Sequence, residues 1–169
     1  MEKISQIYIV ACGSAYHVGM VAQYVIEDLA KIPVRVELAS EFRYRKPLLD
    51  KNGLVIVVSQ SGETADSLAA LREAKEKGIR TLGIVNVVGS SIAREADNVF
   101  YTLAGPEISV ATTKAYSTQL IASYVLAIQL AKVKGQIDEE QYSAYVDELK
   151  TLPEKIKKII EDKERIQWF

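Results

Sequence analysis

The chain has 169 residues, of which 49% are hydrophobic and 25% are charged, and its formal net charge is −1. This length and composition predict one globular domain with a sizeable core and exclude a disordered chain. The near-neutral charge gives no electrostatic reason to expect binding to nucleic acid or to a membrane surface. No apolar run approaches the roughly 20 residues of a membrane span. The single cysteine, Cys12, cannot form an internal disulfide and fits a reducing compartment, so we expect a cytoplasmic domain.

Five short apolar or alternating runs, each long enough for one strand, are separated by helical patterns. The predicted strands are residues 7–12, 34–38, 54–58, 81–86 and 98–102. The predicted helices are residues 16–31 and 64–77, with a short helix or turn at 39–46 and a short helix ending near residue 96. Strands and helices that alternate through short connections predict an α/β fold of three αβα layers. We expect a five-stranded parallel sheet of flavodoxin-like order 2-1-3-4-5.

Beyond the predicted sheet, an irregular loop at 104–113 leads into a strongly apolar helix at 114–132. A polar helix is predicted at 138–150. Because proline ends helices, a separate amphipathic helix is predicted after Pro153. Its predicted buried face consists of Ile156, Ile159 and Ile160. The large apolar residues at 166–169 predict a truncation or a partner surface and, together with the apolar helix, suggest self-association.

The most informative stretch is the turn that follows the predicted strand at 54–58. This turn holds a dense cluster of hydroxyl and amide side chains, namely Ser59, Gln60, Ser61 and Thr64. A helix follows at once, and the unpaired N–H groups and dipole of a helix N-terminus favour an anion. The stretch contains no lysine or arginine. The sequence therefore predicts a phosphate site built from neutral donors, from which Glu63 and Asp66 would have to point away.

A second polar turn, Gly13-Ser14, follows the predicted strand at 7–12. Strands one and three are neighbours in the order 2-1-3-4-5, so the two turns should meet at the switch point where ligands bind. A hydrogen bond to a charged group contributes about 1.5–3 kcal/mol, so three or four donors and a helix dipole could hold a phosphate dianion. One such residue alone would more often be an ordinary turn or N-cap residue. Four such residues together, facing a second polar turn, make a binding site the better interpretation.

Other kinds of site have weaker support. The sequence has neither a P-loop nor a G-x-G-x-x-G motif, and it has no clustered metal ligands, so we expect no cofactor and no metal. His17, the only histidine, could be a general base, but a lone histidine near a helix start is more often structural. Cys12 fits inert packing. Glu107 and Lys114 flank the loop at 104–113 and are further candidates, because such loops often carry function.

Several segments resemble a known family. They are ACGSAYHVGM, ELASEFRYRKP, VSQSGETADSLAALREAK, NVVGSSIAREAD and EISVATTKAYSTQL. The chain resembles the sugar isomerase (SIS) family, and most closely the first SIS lobe of its glucosamine-6-phosphate synthase branch. SQSGET alone marks a SIS domain, whereas ASEFRYR and EISVATTKA are narrower. The resemblance covers nearly the whole chain and implies a sugar-phosphate-binding SIS domain at 1–135 and a helical extension at 136–169, leading toward a second lobe that this chain lacks.

The resemblance also implies the ligand, which is the phosphate of fructose 6-phosphate or glucosamine 6-phosphate. The residues that match the family's substrate contacts are Gly13, Ser14, Ser59, Gln60, Ser61, Thr64, Val110 and Thr112. In the family, Val110 corresponds to a backbone carbonyl that meets the sugar, and Thr112 stands where serine is frequent. Ala15 departs from the pattern, because it replaces a serine and can offer only its backbone N–H.

Enzymes of this branch make glucosamine 6-phosphate from fructose 6-phosphate and glutamine, using a glutaminase domain and two SIS lobes. Their isomerising lysine and glutamate and their ring-opening histidine lie in the second lobe, so no catalytic residue is expected here. The resemblance implies a lobe that binds hexose 6-phosphate and needs the other domains to complete the reaction, and we expect a homodimer. Two alternatives are a non-catalytic sugar-phosphate sensor and a stand-alone aldose–ketose isomerase.

Overall fold

The structure, a computed structural model, describes residues 3–109 and 111–168. It separates into two compact units, Met1–Gln136 and Ile137–Phe169. The strands of the first unit are β1 (Ile7–Ala11), β2 (Val34–Leu38), β3 (Leu54–Ser59), β4 (Arg80–Val85) and β5 (Asn98–Tyr101). Its helices are α1 (Ser14–Ala30), α2 (Ala39–Tyr44), α3 (Ala65–Glu76), α4 (Ser91–Glu95) and α5 (Lys114–Val133).

All strand pairs are parallel, and the strand order is β2-β1-β3-β4-β5. Helices α2, α3 and α4 pack together on one face of the sheet, and α1 packs with α5 on the other. Every residue of β3 is buried, because both faces of this central strand are covered. The predicted three-layer fold and its strand order are confirmed. Within the described ranges, no helix has both the length and the apolar character that a membrane span requires.

The register of the central strands positions the two polar turns. Ala11, the last residue of β1, lies directly beside Val58 of β3. β1 and β3 therefore end beside each other, and the turns that follow them lie side by side at the carboxyl ends of the strands. Ser59 in turn pairs with Val85 at the end of β4, which brings the turn after β4 to the same end of the sheet.

Hydrogen bonds between Thr81 and Asp97 join β4 and β5 at their amino ends, opposite the polar turns. The Asp97 carboxylate accepts hydrogen bonds from the N–H and the hydroxyl of Thr81, at 2.9 and 2.8 Å. The Thr81 hydroxyl also accepts one from the Asp97 N–H, at 3.0 Å. Burial acts to raise the pKa of Asp97, but the hydrogen bonds from Thr81 and the ammonium of Lys75 outweigh it and hold that pKa below its ordinary value.

The second unit consists of α6 (Glu139–Glu161) and α7 (Lys163–Gln167). Asp138 and Gln141 form a capping box that starts α6. The predicted break at Pro153 is wrong, since α6 continues through it. Proline removes one helical N–H donor, but none of the described residues of α6 is buried, so water can reach the carbonyl that is left unpaired. The predicted buried face is also wrong. Ile156, Ile159 and Ile160 are exposed, because helical spacing alone aligns apolar side chains on one face without providing a surface to bury them.

We expect the link between Thr81 and Asp97 to be important for stability. Thr81→Val keeps the side-chain shape but leaves the Asp97 N–H without its partner, and it should lower the free energy of unfolding by about 1–3 kcal/mol in urea titrations. Thr118→Val is the matched control, because the Thr118 hydroxyl donates to the carbonyl of Ala115 within its own helix. Thr118→Val should lower the free energy of unfolding much less. Equal decreases in the two variants would contradict the role given to Thr81.

Candidate functional site

A cavity of about 230 Å³ opens at the carboxyl edge of the sheet. Its wall is formed by the turns after β1 and β3, the loop before α5, and α5 itself. Six of the predicted site residues line it, namely Ser14, Ser59, Gln60, Ser61, Thr64 and Thr112. The structure therefore brings together in one cavity side chains that lie up to about a hundred residues apart in the sequence.

Other candidates lie elsewhere. Gly13 is not among the lining residues; it forms the turn that starts α1, with a φ of 56°. Val110 lies outside the described residues. His17 is exposed, and its ring lies edge-on to Tyr16, with the centroids 5.5 Å apart. Lys114 is exposed at the start of α5 and does not line the cavity.

Hydrogen bonds within the turn after β3 hold its hydroxyl groups in place. The Ser59 hydroxyl lies 3.1 Å from that of Thr64 and accepts a hydrogen bond from the Gly62 N–H at 3.0 Å. The Ser61 hydroxyl accepts one from the Glu63 N–H at 3.2 Å. A hydroxyl that accepts through its oxygen keeps its own proton for donation. Ser61 can therefore donate to a ligand in the cavity.

The start of α3 adds backbone donors to these hydroxyls. Thr64 is the N-cap of α3, but its side chain makes no hydrogen bond to the helix backbone. The first N–H groups of a helix have no partners inside the helix, and they carry its positive dipole end. No lysine or arginine is among the described residues that line the cavity. An anion bound here would be held by neutral groups and a helix dipole.

Two carboxylates next to this turn are engaged outside the cavity. Glu63 accepts a hydrogen bond from the N–H of Ser91 at 2.7 Å. The hydroxyl and N–H of Ser91 together hold the pKa of Glu63 below its ordinary value. Asp66 pairs with the guanidinium of Arg43 at 3.0 Å. Neither carboxylate lines the cavity, so both leave the turn open to a phosphate, as the sequence-based hypothesis requires.

Glu107 occupies the start of the second helix that reaches the cavity, α5. Its carboxylate accepts hydrogen bonds from the N–H groups of Thr113 and Ala115, at 3.2 and 3.3 Å. The Thr113 bond in particular lowers the pKa of Glu107, although burial opposes the shift. The positive end of α5 is thus already paired with a carboxylate of the same chain, whereas the start of α3 is open to an external anion.

The loop between β4 and α4 supports the turn from behind. The Asn86 N–H donates to the Gln60 carbonyl at 3.1 Å, and the Ile92 N–H donates to the Gly62 carbonyl at 3.0 Å. Ser90 packs so closely that a Cβ atom at position 62 would lie 2.0 Å from its hydroxyl oxygen. Gly62 also has a φ of 66°, which disfavours other residues. Position 62 therefore requires glycine for two reasons.

The sequence-based prediction missed two polar lining residues, Ser109 and Gln119. Cys12, which was assigned to inert packing, also lines the cavity, as does Val58. Ser109 lies in an irregular loop and gave no signal. Gln119 did give a signal in the sequence, because it is a polar residue on the helical face that also carries Ala115 and Ala122, both of which are buried. A polar side chain on an otherwise apolar face can indicate a site as well as a packing defect.

Comparisons with known proteins identify the family of the chain. The SIS domain family profile matches residues 1–129. Glutamine–fructose-6-phosphate aminotransferase (isomerizing) from Clostridium tetani is 59% identical over 97% of this chain and 27% of its own length. The enzyme of that name from Caldanaerobacter subterraneus subsp. tengcongensis is 57% identical over 100% of this chain and 28% of its own length. The chain thus spans about a quarter of these curated relatives.

A solved structure is similar over almost the whole chain. It is the C-terminal domain of glucosamine-fructose-6-phosphate aminotransferase from Francisella tularensis, which is 43% identical with a TM-score of 0.94. The match covers 98% of this chain and 47% of that one.

We expect Gly62→Ala to distort the turn. The new Cβ would clash with Ser90, and the positive φ would add a strain of about 1–2 kcal/mol. Gly78→Ala is the matched control, because Gly78 has a φ of 72° with no atom within 4 Å of an added Cβ. Gly62→Ala should lower the free energy of unfolding well beyond the control in urea titrations. Adding Ser90→Gly should recover the excess loss, and a Gly62→Ala cost no larger than that of the control would contradict this account.

Proposed function

Because the chain belongs to the SIS domain family, we propose that it is the sugar-phosphate-binding lobe of an enzyme that makes glucosamine 6-phosphate from fructose 6-phosphate and glutamine. The observation that carries the proposal is the uncapped start of α3, which faces a cluster of hydroxyl and amide donors in one cavity. The names of the curated relatives support the choice of reaction.

In this proposal the phosphate binds in the turn after β3. Ser59, Ser61 and Thr64 offer hydroxyl groups, and Gln60 offers its amide. Ser14 approaches from the neighbouring turn after β1, which the strand register brings alongside. Hydrogen bonds to an ionised group are the strong ones, so this set can hold a dianion without a cationic side chain.

The sugar then extends toward the loop before α5. Thr112 lines that part of the wall, and its hydroxyl lies 3.5 Å from the Glu107 carboxylate. Because Glu107 is ionised, a second anionic group on the ligand would be repelled there. The proposed ligand therefore has one phosphate and a neutral or cationic sugar, which describes both fructose 6-phosphate and glucosamine 6-phosphate. Contacts from Gly13 and from the Val110 carbonyl rest on the family resemblance alone.

The chemistry on the sugar needs groups that this cavity does not provide. Among the described lining residues there is no lysine to form a Schiff base and no histidine to open the ring. We infer that a second SIS lobe and a glutaminase domain supply the reacting groups, as the greater length of the relatives allows. We also propose that the lobe works in the cytoplasm as part of a homodimer. Exposed apolar side chains on α5 support self-association, namely Ile121, Tyr124 and Val125.

Ligand binding can be tested by thermal denaturation. Glucosamine 6-phosphate should raise the Tm of the chain, and Ser61→Ala should abolish most of that shift because it removes a donor from the turn. Ser5→Ala is the control, since Ser5 is exposed and remote from the cavity, and it should keep the full shift. A wild-type chain that shows no shift with any hexose phosphate would refute the site.

Catalytic incompleteness can be tested separately. The 169-residue chain, supplied with fructose 6-phosphate and either glutamine or ammonia, should form no glucosamine 6-phosphate above the enzyme-free background. The enzyme from Clostridium tetani is the positive control, and it should form glucosamine 6-phosphate under the same conditions. Turnover by the chain alone would show that its own residues complete the reaction.

A further inference from the structure

Gln119 is a nearly buried amide to which no described residue gives a hydrogen-bond partner. Only 2% of its surface is exposed, and it lines the cavity. Among the residues that the structure describes, none forms a hydrogen bond with its carboxamide. The only fully enclosed polar side-chain atom without a partner in the described chain is the Ser90 hydroxyl oxygen, so the Gln119 carboxamide must open onto the cavity. An amide can donate two hydrogen bonds and accept two more.

The rest of this helical face does not need an amide. Ala115 lies one turn before Gln119 and Ala122 about one turn after it, and both are buried. The Ser123 hydroxyl donates to the backbone carbonyl of Gln119 at 2.9 Å and so does not use the side chain. A buried amide without a partner costs stability that a leucine at the same position would not. Such local costs concentrate at functional sites.

The ligand must be able to satisfy both ends of this amide. A phosphate dianion has only acceptors, so it could pair with the N–H groups but would leave the carbonyl oxygen unpaired. A sugar hydroxyl can donate and accept at once. The position agrees, because Gln119 belongs to α5, and the loop that leads into α5 carries Glu107 and Thr112. The phosphate donors, by contrast, lie in the turn after β3 and at the start of α3.

We propose that Gln119 is a substrate-binding residue whose carboxamide donates to and accepts from the hydroxyl groups of a bound hexose phosphate. The inference rests on the proposed function for the identity of the ligand. It assigns to α5 a direct contact with the sugar, in addition to the contribution of α3 to the phosphate. It also explains why an amide, which needs several hydrogen-bond partners, is placed among the buried residues of this helical face.

The test compares two ligands and two variants. Gln119→Leu removes both hydrogen-bonding ends at nearly constant size. Calorimetry with glucosamine 6-phosphate should show affinity weakened about tenfold or more, the effect of losing one or two hydrogen bonds. The affinity for inorganic phosphate should stay within about twofold of the wild-type value, as expected for a residue outside the phosphate turn. The Tm of the free variant should equal or exceed that of the wild type, because an unpartnered polar group has been removed from the interior.

Gln23→Leu is the matched control. The Gln23 amide donates to the Val34 carbonyl at 2.8 Å, so it has a structural role, and Gln23 does not line the cavity. This control should lower the Tm and leave both affinities unchanged. Gln119→Met provides a second apolar replacement if leucine does not pack, and it should give the same pattern of affinities.

Four results would overturn the inference. Equal weakening of both ligands would assign Gln119 to the phosphate. A lower Tm with both affinities unchanged would make its role structural. Unchanged hexose phosphate binding in Gln119→Leu, with normal binding by the wild type, would reject this inference and leave the proposed function standing. A wild-type chain that binds no hexose phosphate would reject both.

Discussion

The pairing of Ala11 with Val58 across two neighbouring parallel strands is the constraint on which the site depends. It sets the level at which the chain leaves β1 and β3, so the Ser14 turn and the Ser59–Ser61 turn emerge together. Ladder hydrogen bonds and close packing on both faces of β3 hold this register, because a slip by one residue would move every side chain of the strand out of the space that it fills in the core. The donors in the cavity are thus positioned by the core rather than by the loops alone.

The two helices that begin at the cavity, α3 and α5, differ in the charge at their N-termini. The start of α3 is uncapped by side chains, and the nearest carboxylates, Glu63 and Asp66, are engaged with Ser91 and Arg43. The start of α5 is paired with Glu107. An anionic ligand group is therefore favoured at α3 and disfavoured at α5. The described part of the wall has no lysine or arginine, so in the proposed function this asymmetry is what orients a ligand with one phosphate.

The differences between prediction and structure have specific causes. Pro153 does not end α6, because a helix with no buried described residue can leave one carbonyl to water. Ile156, Ile159 and Ile160 have the spacing of a buried face, but spacing does not supply an element to cover it. Glu107 was one of two candidates flanking a loop, and its contacts with Thr113 and Ala115 became apparent only once α5 was positioned.

By itself the sequence determined the five strands and the hydroxyl-rich turn after β3, because apolar period, helix starts and turn residues are local properties of the chain. The strand order followed from the expected fold class, and the structure confirms it. Six of the eight predicted site residues line the cavity; of the other two, Gly13 lies outside its wall and Val110 outside the described residues. Only the tertiary structure decided that Glu107 occupies the start of α5, that Ser90 excludes any side chain at position 62, and that Gln119 faces the cavity. Each of these depends on how loops and helices pack against one another. A pattern in the sequence gives at most a hint of such packing, as the polar residue at position 119 on a buried helical face did.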